Sequence, residues 1–167
     1  MIIRRIKLED AEKFLNMLKQ LDKETKYMLY EEDERNCTIQ DMKERLSKRE
    51  DNTKYATFIV EDNGEIVGFL SGDRGLVNRI KHSAYVVIGM LEPYRGKGIG
   101  VALIEELFKW ARNNKIVRLE LTVVKDNRYA VNLYKKMGFK VEGIREKAMI
   151  VDGKYVDEYY MTKLYED

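Results

Sequence analysis

Cysteine, histidine and proline are nearly missing from this chain, which has one of each: Cys37, His82 and Pro93. A single cysteine leaves no disulfide framework within the chain. Zinc sites draw most of their ligands from cysteine and histidine, so no metal is expected. Nothing near Cys37 marks an activated thiol, and no nucleophile elbow is present. Net charge is equally scarce. The 31 basic and 29 acidic residues leave +2, whereas a dedicated nucleic-acid binder carries a basic excess. No apolar run approaches the ~18 residues that suggest a membrane span. The start, Met1-Ile2-Ile3-Arg4-Arg5, lacks the apolar stretch and cleavage site of a signal peptide. The expected setting is therefore the cytoplasm, with neither nucleic acid nor membrane as partner. No Pro/Gly/Ser-rich linker divides the chain, so residues 1–167 read as one domain, long enough to bury a core unaided.

Against these absences stand clear periodic segments. Residues 2–6 are β-prone. Ala11, Phe14, Leu15, Leu18 and Leu21 recur at helical spacing. Thr38 with Asp41 resembles a capping box before a second helix, with Ile39, Met42 and Leu46 on its inner face. Tyr55–Val60 and Ile66–Leu70 form a hairpin across Asn63-Gly64. Ser83–Leu91 is a further strand, a glycine-rich turn opens a helix from about Ile99 to Asn113, and Ile116–Val124 is a fifth strand. Asp126–Met137 is a helix with Ala130, Leu133, Tyr134 and Met137 on one face and Gly138 as its cap. Two strands joined by Asp152-Gly153 close the chain. Hairpins flanking one strand–helix–strand unit predict an α/β fold with a mixed sheet rather than a doubly wound parallel one.

The turn Arg95-Gly96-Lys97-Gly98-Ile99-Gly100 carries the most information. Backbone N–H groups at a helix start lack intrahelical partners and sit at the positive end of the dipole, a geometry that binds phosphate. Three ligand-binding patterns compete for these residues. The dinucleotide fingerprint G-x-G-x-x-G fails because Val101 stands where the third glycine belongs. The P-loop fails because Gly98, not Ser or Thr, follows Lys97. The third pattern, R-x-x-G-x-G, is met at Arg95, Gly98 and Gly100. A glycine-rich turn with no ligand also fits the six residues taken alone.

Between about Tyr85 and Phe139 the chain resembles the GNAT superfamily of N-acetyltransferases. Gly89-Met90-Leu91-Glu92-Pro93-Tyr94 leads into the R-x-x-G-x-G turn as it does there. Downstream, Asn127-x-x-Ala130-x-x-Leu133-Tyr134-x-x-x-Gly138-Phe139 is similar to that family's second block. The tail, with Glu142-Gly143-x-Arg145 and Asp152-Gly153-x-Tyr155-x-Asp157, looks alike as well. The resemblance implies a mixed, mostly antiparallel sheet of six to seven strands flanked by four helices. It implies acetyl-CoA as co-substrate and an amine as acceptor, with transfer by direct attack and no metal. The amides of Gly96, Lys97, Gly98, Ile99 and Gly100 would hold the pyrophosphate beside Arg95. Backbone groups at Gly89, Met90 and Leu91, on a strand that splays from its neighbour and often carries a bulge, would pair with the pantetheine arm. One of those amides would polarise the thioester carbonyl. Asn127 would contact the arm or a nearby loop, and Tyr134 would protonate the leaving thiolate.

Each role has a plainer rival. Tyr134 lies on an apolar stripe and also fits as a core tyrosine. Asn127 fits as an N-cap. Glu120 is a candidate base and equally a surface charge. Tyr30, Glu31 and Glu32 stand in an aromatic and acidic stretch between the first two helices, where the resemblance implies an acceptor site. That stretch favours a small or peptide-borne primary amine. The acceptor stays open between a small molecule and a protein N-terminus or lysine. A non-catalytic acyl-CoA-binding module is the other class, and unpaired edge strands suggest a homodimer.

Overall fold

The computed structural model describes residues 1–166. The elements follow in the order β1 (Ile2–Arg5), α1 (Ala11–Glu24), α2 (Ile39–Ser47), β2 (Tyr55–Asp62), β3 (Glu65–Arg74), β4 (Ser83–Met90), α3 (Ile99–Asn113), β5 (Arg118–Val124), α4 (Arg128–Lys136), β6 (Lys140–Val151) and β7 (Lys154–Leu164). Single 3-10 turns at Leu8–Asp10 and Glu92–Tyr94 lead into α1 and towards α3. The strands form one sheet in the order β1-β2-β3-β4-β5-β7-β6. Every neighbouring pair is antiparallel except β4–β5. This agrees with the mixed, mostly antiparallel sheet of six to seven strands with four helices that the resemblance implies.

Period-two alternation splits the core between the two faces of the sheet. Ala56, Phe58 and Val60 of β2 and Leu119, Leu121 and Val123 of β5 pack with Leu103, Ile104, Leu107 and Trp110 of α3. Ile59 of β2 and Phe69 of β3 face the other way, onto Phe14, Leu15, Leu18 and Leu21 of α1 and Met42 and Leu46 of α2. Each large apolar side chain removed from water contributes about 1.5–3 kcal/mol. The five α1 positions read from the sequence are all buried.

Local signals decide most boundaries. Thr38 Oγ1 accepts from Asp41 N at 3.1 Å while Asp41 Oδ2 accepts from Thr38 N at 2.9 Å, so the capping box starts α2. Ile39 departs from expectation: it shares the face of Met42 and Leu46 but stands at the first residue of α2, at the end of that face, and is 40% exposed. Asn63-Gly64 (φ 50° and 79°) and Asp152-Gly153 (φ 51° and 74°) make the two tight hairpins in left-handed backbone. Gly138, at φ 87°, ends the α4 segment. The remaining corrections are small. The last helix starts at Arg128 rather than Asp126, and β5 starts at Arg118, the first residue to pair with β4, because Ile116 and Val117 precede the ladder.

Candidate active site

The parallel pair β4–β5 holds together for only three residues, Ser83–Tyr85 against Arg118–Glu120. Beyond them β4 runs on to Met90 against β3, and β5 runs on to Val124 against β7. The two strands therefore diverge into a cleft in the middle of the sheet. Leu91 N donates to Val67 O at 3.0 Å. In antiparallel pairing, alternate residues turn their backbone groups towards the partner strand. Gly89 and Leu91 thus spend theirs on β3, and Val86, Ile88 and Met90 turn theirs into the cleft. Of the three residues named from the sequence, only Met90 aims its backbone there, and its carbonyl accepts from Arg95 Nε at 2.9 Å. The β3–β4 register runs without a shift from Gly68↔Met90 to Arg74↔Ala84, so the splay forms without a bulge in β4.

The glycine-rich turn lies at the end of β4 and opens α3. Gly96 (φ 74°) and Gly98 (φ 79°) are left-handed, and Gly98 is the N-cap. A Cβ placed on either would meet nothing within 4 Å, so the backbone here faces open space. Gly100 has a different reason to be glycine. A Cβ there would lie 2.9 Å from Leu133 Cδ2, where α3 crosses α4. Ile99 is buried in the core, so only its amide is available to a ligand. The Lys97 ammonium lies 5.6 Å above the Tyr94 ring. Arg95 turns back to the strand end, onto Met90 O and within 3.8 Å of Glu24, which also accepts from Glu92 N at 2.7 Å. Sequence reasoning missed Glu24 and also Tyr129, whose hydroxyl accepts from Gly96 N at 2.9 Å.

Helix α4 packs against the start of α3. Asn127 is its N-cap, accepting from Ala130 N at 3.3 Å. Tyr134 is 6% exposed and packs on Phe139 with ring centroids 5.8 Å apart. Burial pushes its phenol well above the ordinary tyrosine range, and nearby Tyr85 adds to the shift. Burial thus favours the neutral phenol. Tyr85 carries no signal in the sequence, yet its hydroxyl lies 2.8 Å from Thr122 Oγ1, across the narrow end of the splay.

The model of the acetyltransferase (GNAT) family matches residues 15–139, more than half of the chain. The chain belongs to the GNAT family. It is 36% identical over 103 residues to an L-amino acid N-acetyltransferase of Escherichia coli, a match covering 61% of this chain and 64% of that protein. It is 38% identical over 96 residues to an N-alpha-acetyltransferase of Sulfurisphaera tokodaii, covering 51% and 56%. These matches span less than two thirds of either relative. A GNAT-family acetyltransferase structure from Streptococcus pneumoniae superposes with a TM-score of 0.94 at 31% identity, covering 98% of this chain and 99% of that one. YncA of Salmonella typhimurium, solved with its cofactor acetyl-CoA, has the same fold (TM-score 0.86, 17% identity, 100% and 95% covered).

In this GNAT chain the face of β5 opposite α3 carries Glu120 and Thr122, because Leu119 and Leu121 fill the other face. Glu120 pairs with Arg118 at 2.5 Å, and Arg118 also grips Glu142 through two hydrogen bonds of 2.9 and 2.7 Å. The α1–α2 loop borders this region. Lys26 reaches Asp152 in the β6–β7 turn at 2.6 Å. The acidic stretch makes its contacts within the loop and along α1. Glu32 lies 3.4 Å from Lys23, Glu34 accepts from the Glu31 amide, and Tyr30 lies under Arg35 at 4.5 Å. Arg35 is in turn tied to the buried Asp22 at 2.7 and 2.9 Å.

Proposed function

We propose that this chain is an N-acetyltransferase that moves the acetyl group of acetyl-CoA to the primary amine of a small molecule. The observation that carries this reading is the splayed β4–β5 cleft with the Gly96–Gly100 turn at its mouth. The unpaired edge of β4 can take a chain of amides as a further strand, which is the chemistry of the pantetheine arm. The turn amides and the positive end of α3 suit the pyrophosphate. The Gly96–Gly98 backbone faces space that side chains would fill.

Transfer by direct attack needs both substrates held together, which lowers the entropic barrier. The Met90 N–H is then the donor for the thioester carbonyl and for the negative charge that grows on its oxygen during attack. Tyr134 donates its proton to the departing thiolate sulfur. The incoming amine must be neutral, although an alkyl amine is mostly protonated at neutral pH. Glu120 is the carboxylate for that task, acting through water, with Arg118 holding it in place. A small-molecule acceptor agrees with the names of two relatives: L-amino acids for one, and L-methionine sulfoximine or sulfone for a Pseudomonas aeruginosa enzyme 28% identical over 113 residues.

The test is calorimetric titration with acetyl-CoA, with ATP and NAD as controls, followed by an amine panel with detection of free thiol. Saturable binding to acetyl-CoA alone, then thiol release with a small amine, is expected. A folded sample free of copurified coenzyme that ignores acetyl-CoA would refute the proposal. Coenzyme binding without turnover on any amine would leave a binding module in its place.

A further inference from the structure

We infer that Tyr129 is a diphosphate ligand, extending the glycine-rich turn by one side-chain donor; this rests on the acetyl-CoA reading above. Tyr129 stands in the first turn of α4 and its side chain reaches across to the start of α3. Its hydroxyl oxygen accepts the Gly96 N–H at 2.9 Å. A phenol has one proton to give as well as lone pairs to accept with. Acceptance from the amide leaves that proton free and polarises it towards donation. The tyrosine is 55% exposed, so a bound molecule can reach it. The space next to Gly96 and Gly98 is open. A diphosphate over the turn therefore meets the α3 amides on one side and the Tyr129 O–H on the other.

The arrangement also accounts for the Gly96 amide. A left-handed glycine ahead of the N-cap directs its N–H away from the helix, where it would be an unpaired donor. Tyr129 takes that donor and passes its polarity outwards as an O–H. The phosphate is thus read through a relay, N–H to phenol to phosphate oxygen, that ties α4 to α3 when the ligand is bound. The two cations of the turn itself make other contacts: Arg95 is on Met90 O and near Glu24, and Lys97 lies over Tyr94.

Calorimetry on Tyr129→Phe and on the unaltered protein tests the assignment with three probes: CoA, dephospho-CoA, which lacks only the 3′-phosphate, and S-acetylpantetheine, which lacks the diphosphate. The variant is expected to bind CoA and dephospho-CoA roughly ten-fold more weakly, the loss of one hydrogen bond to a charged acceptor. Its affinity for S-acetylpantetheine should match that of the unaltered protein, which also shows that the fold is intact. Loss for CoA but not dephospho-CoA would assign Tyr129 to the 3′-phosphate and overturn the inference. Equal or tighter binding of CoA by the variant would overturn it as well, the latter by showing that the phenol competes for the Gly96 amide. If the unaltered protein binds none of the three, the acetyl-CoA reading itself falls; binding by the unaltered protein with an unaffected variant sinks only Tyr129.

Discussion

Gly89→Ala is a sharp test of how α1 is seated on the sheet beside the cleft. Gly89 is buried in β4, one residue before Met90. A Cβ built on it lies 2.6 Å from Leu21 Cδ2 and 2.7 Å from Phe69 Cε1. Neither neighbour has room to yield. Leu21 is 2% exposed and Phe69 6%, and the Phe69 ring stands edge-on to Phe14 at 5.5 Å. Overpacking of this kind costs about 1–3 kcal/mol. Alanine recovers about 0.4–1 kcal/mol by restricting the unfolded chain, since Gly89 is not left-handed. At the middle of these ranges the net loss is about 1 kcal/mol, and for a domain of this size that lowers Tm by about 2–4 °C. Gly143→Ala is the control, because a Cβ there meets nothing within 4 Å and its backbone is not left-handed either. Thermal melts of both variants decide the matter. Gly143→Ala should melt at or slightly above the unaltered protein. Equal melting temperatures for the two variants would refute the packing argument, since only the contacts to α1 and β3 separate them.

Tyr134→Phe should lower kcat while leaving the Kd for acetyl-CoA near that of the unaltered protein; unchanged turnover in a thiol-release assay would return Tyr134 to a purely structural role. Alkaline stability should fall above about pH 10, the ordinary tyrosine value. Burial raises Tyr134 and pushes Tyr165 up to about 12, so the unfolded chain ionises first and folding loses ground as pH climbs through those raised values. A urea midpoint constant from pH 8 to 11.5 would contradict this. Tyr165 also has a buried hydroxyl with no partner among the described residues. Tyr165→Phe should therefore keep or raise Tm and flatten the alkaline loss. On the acid side, Arg118 holds Glu142 down at about 2. Its contribution is present above the usual glutamate value and is lost as pH falls towards 2, so Glu142→Gln should weaken the dependence of the urea midpoint on pH between 5 and 2.

What was legible in the sequence was local in origin. Helix α3 runs from Ile99 to Asn113 as read, because its start is written in Gly98 and its stripe in Leu103, Ile104, Leu107 and Trp110. Both hairpin turns follow from Asn-Gly and Asp-Gly, whose left-handed backbone two-residue turns require. The splay was reached only through resemblance. It depends on β7 entering between β5 and β6 from the far end of the chain, and no periodicity within Ser83–Met90 encodes that.

Side-chain partners were harder to read, for the same reason. Arg95 reads as a phosphate cation when counted along the chain, yet its guanidinium lies on a carbonyl five residues earlier, and Glu24 from α1 stands close by. Glu31 and Glu32 read as bait for a cationic amine, but Lys23 sits one helical face away from Asp22 and pairs with Glu32. A charge announces its sign in sequence and its partner only in space. Under the proposed function, the carboxylate nearest the reacting amine would then come from the face of β5 at the narrow end of the splay rather than from the acidic loop. There Glu120, Thr122 and Tyr85 come together from strands that meet for three residues and then part.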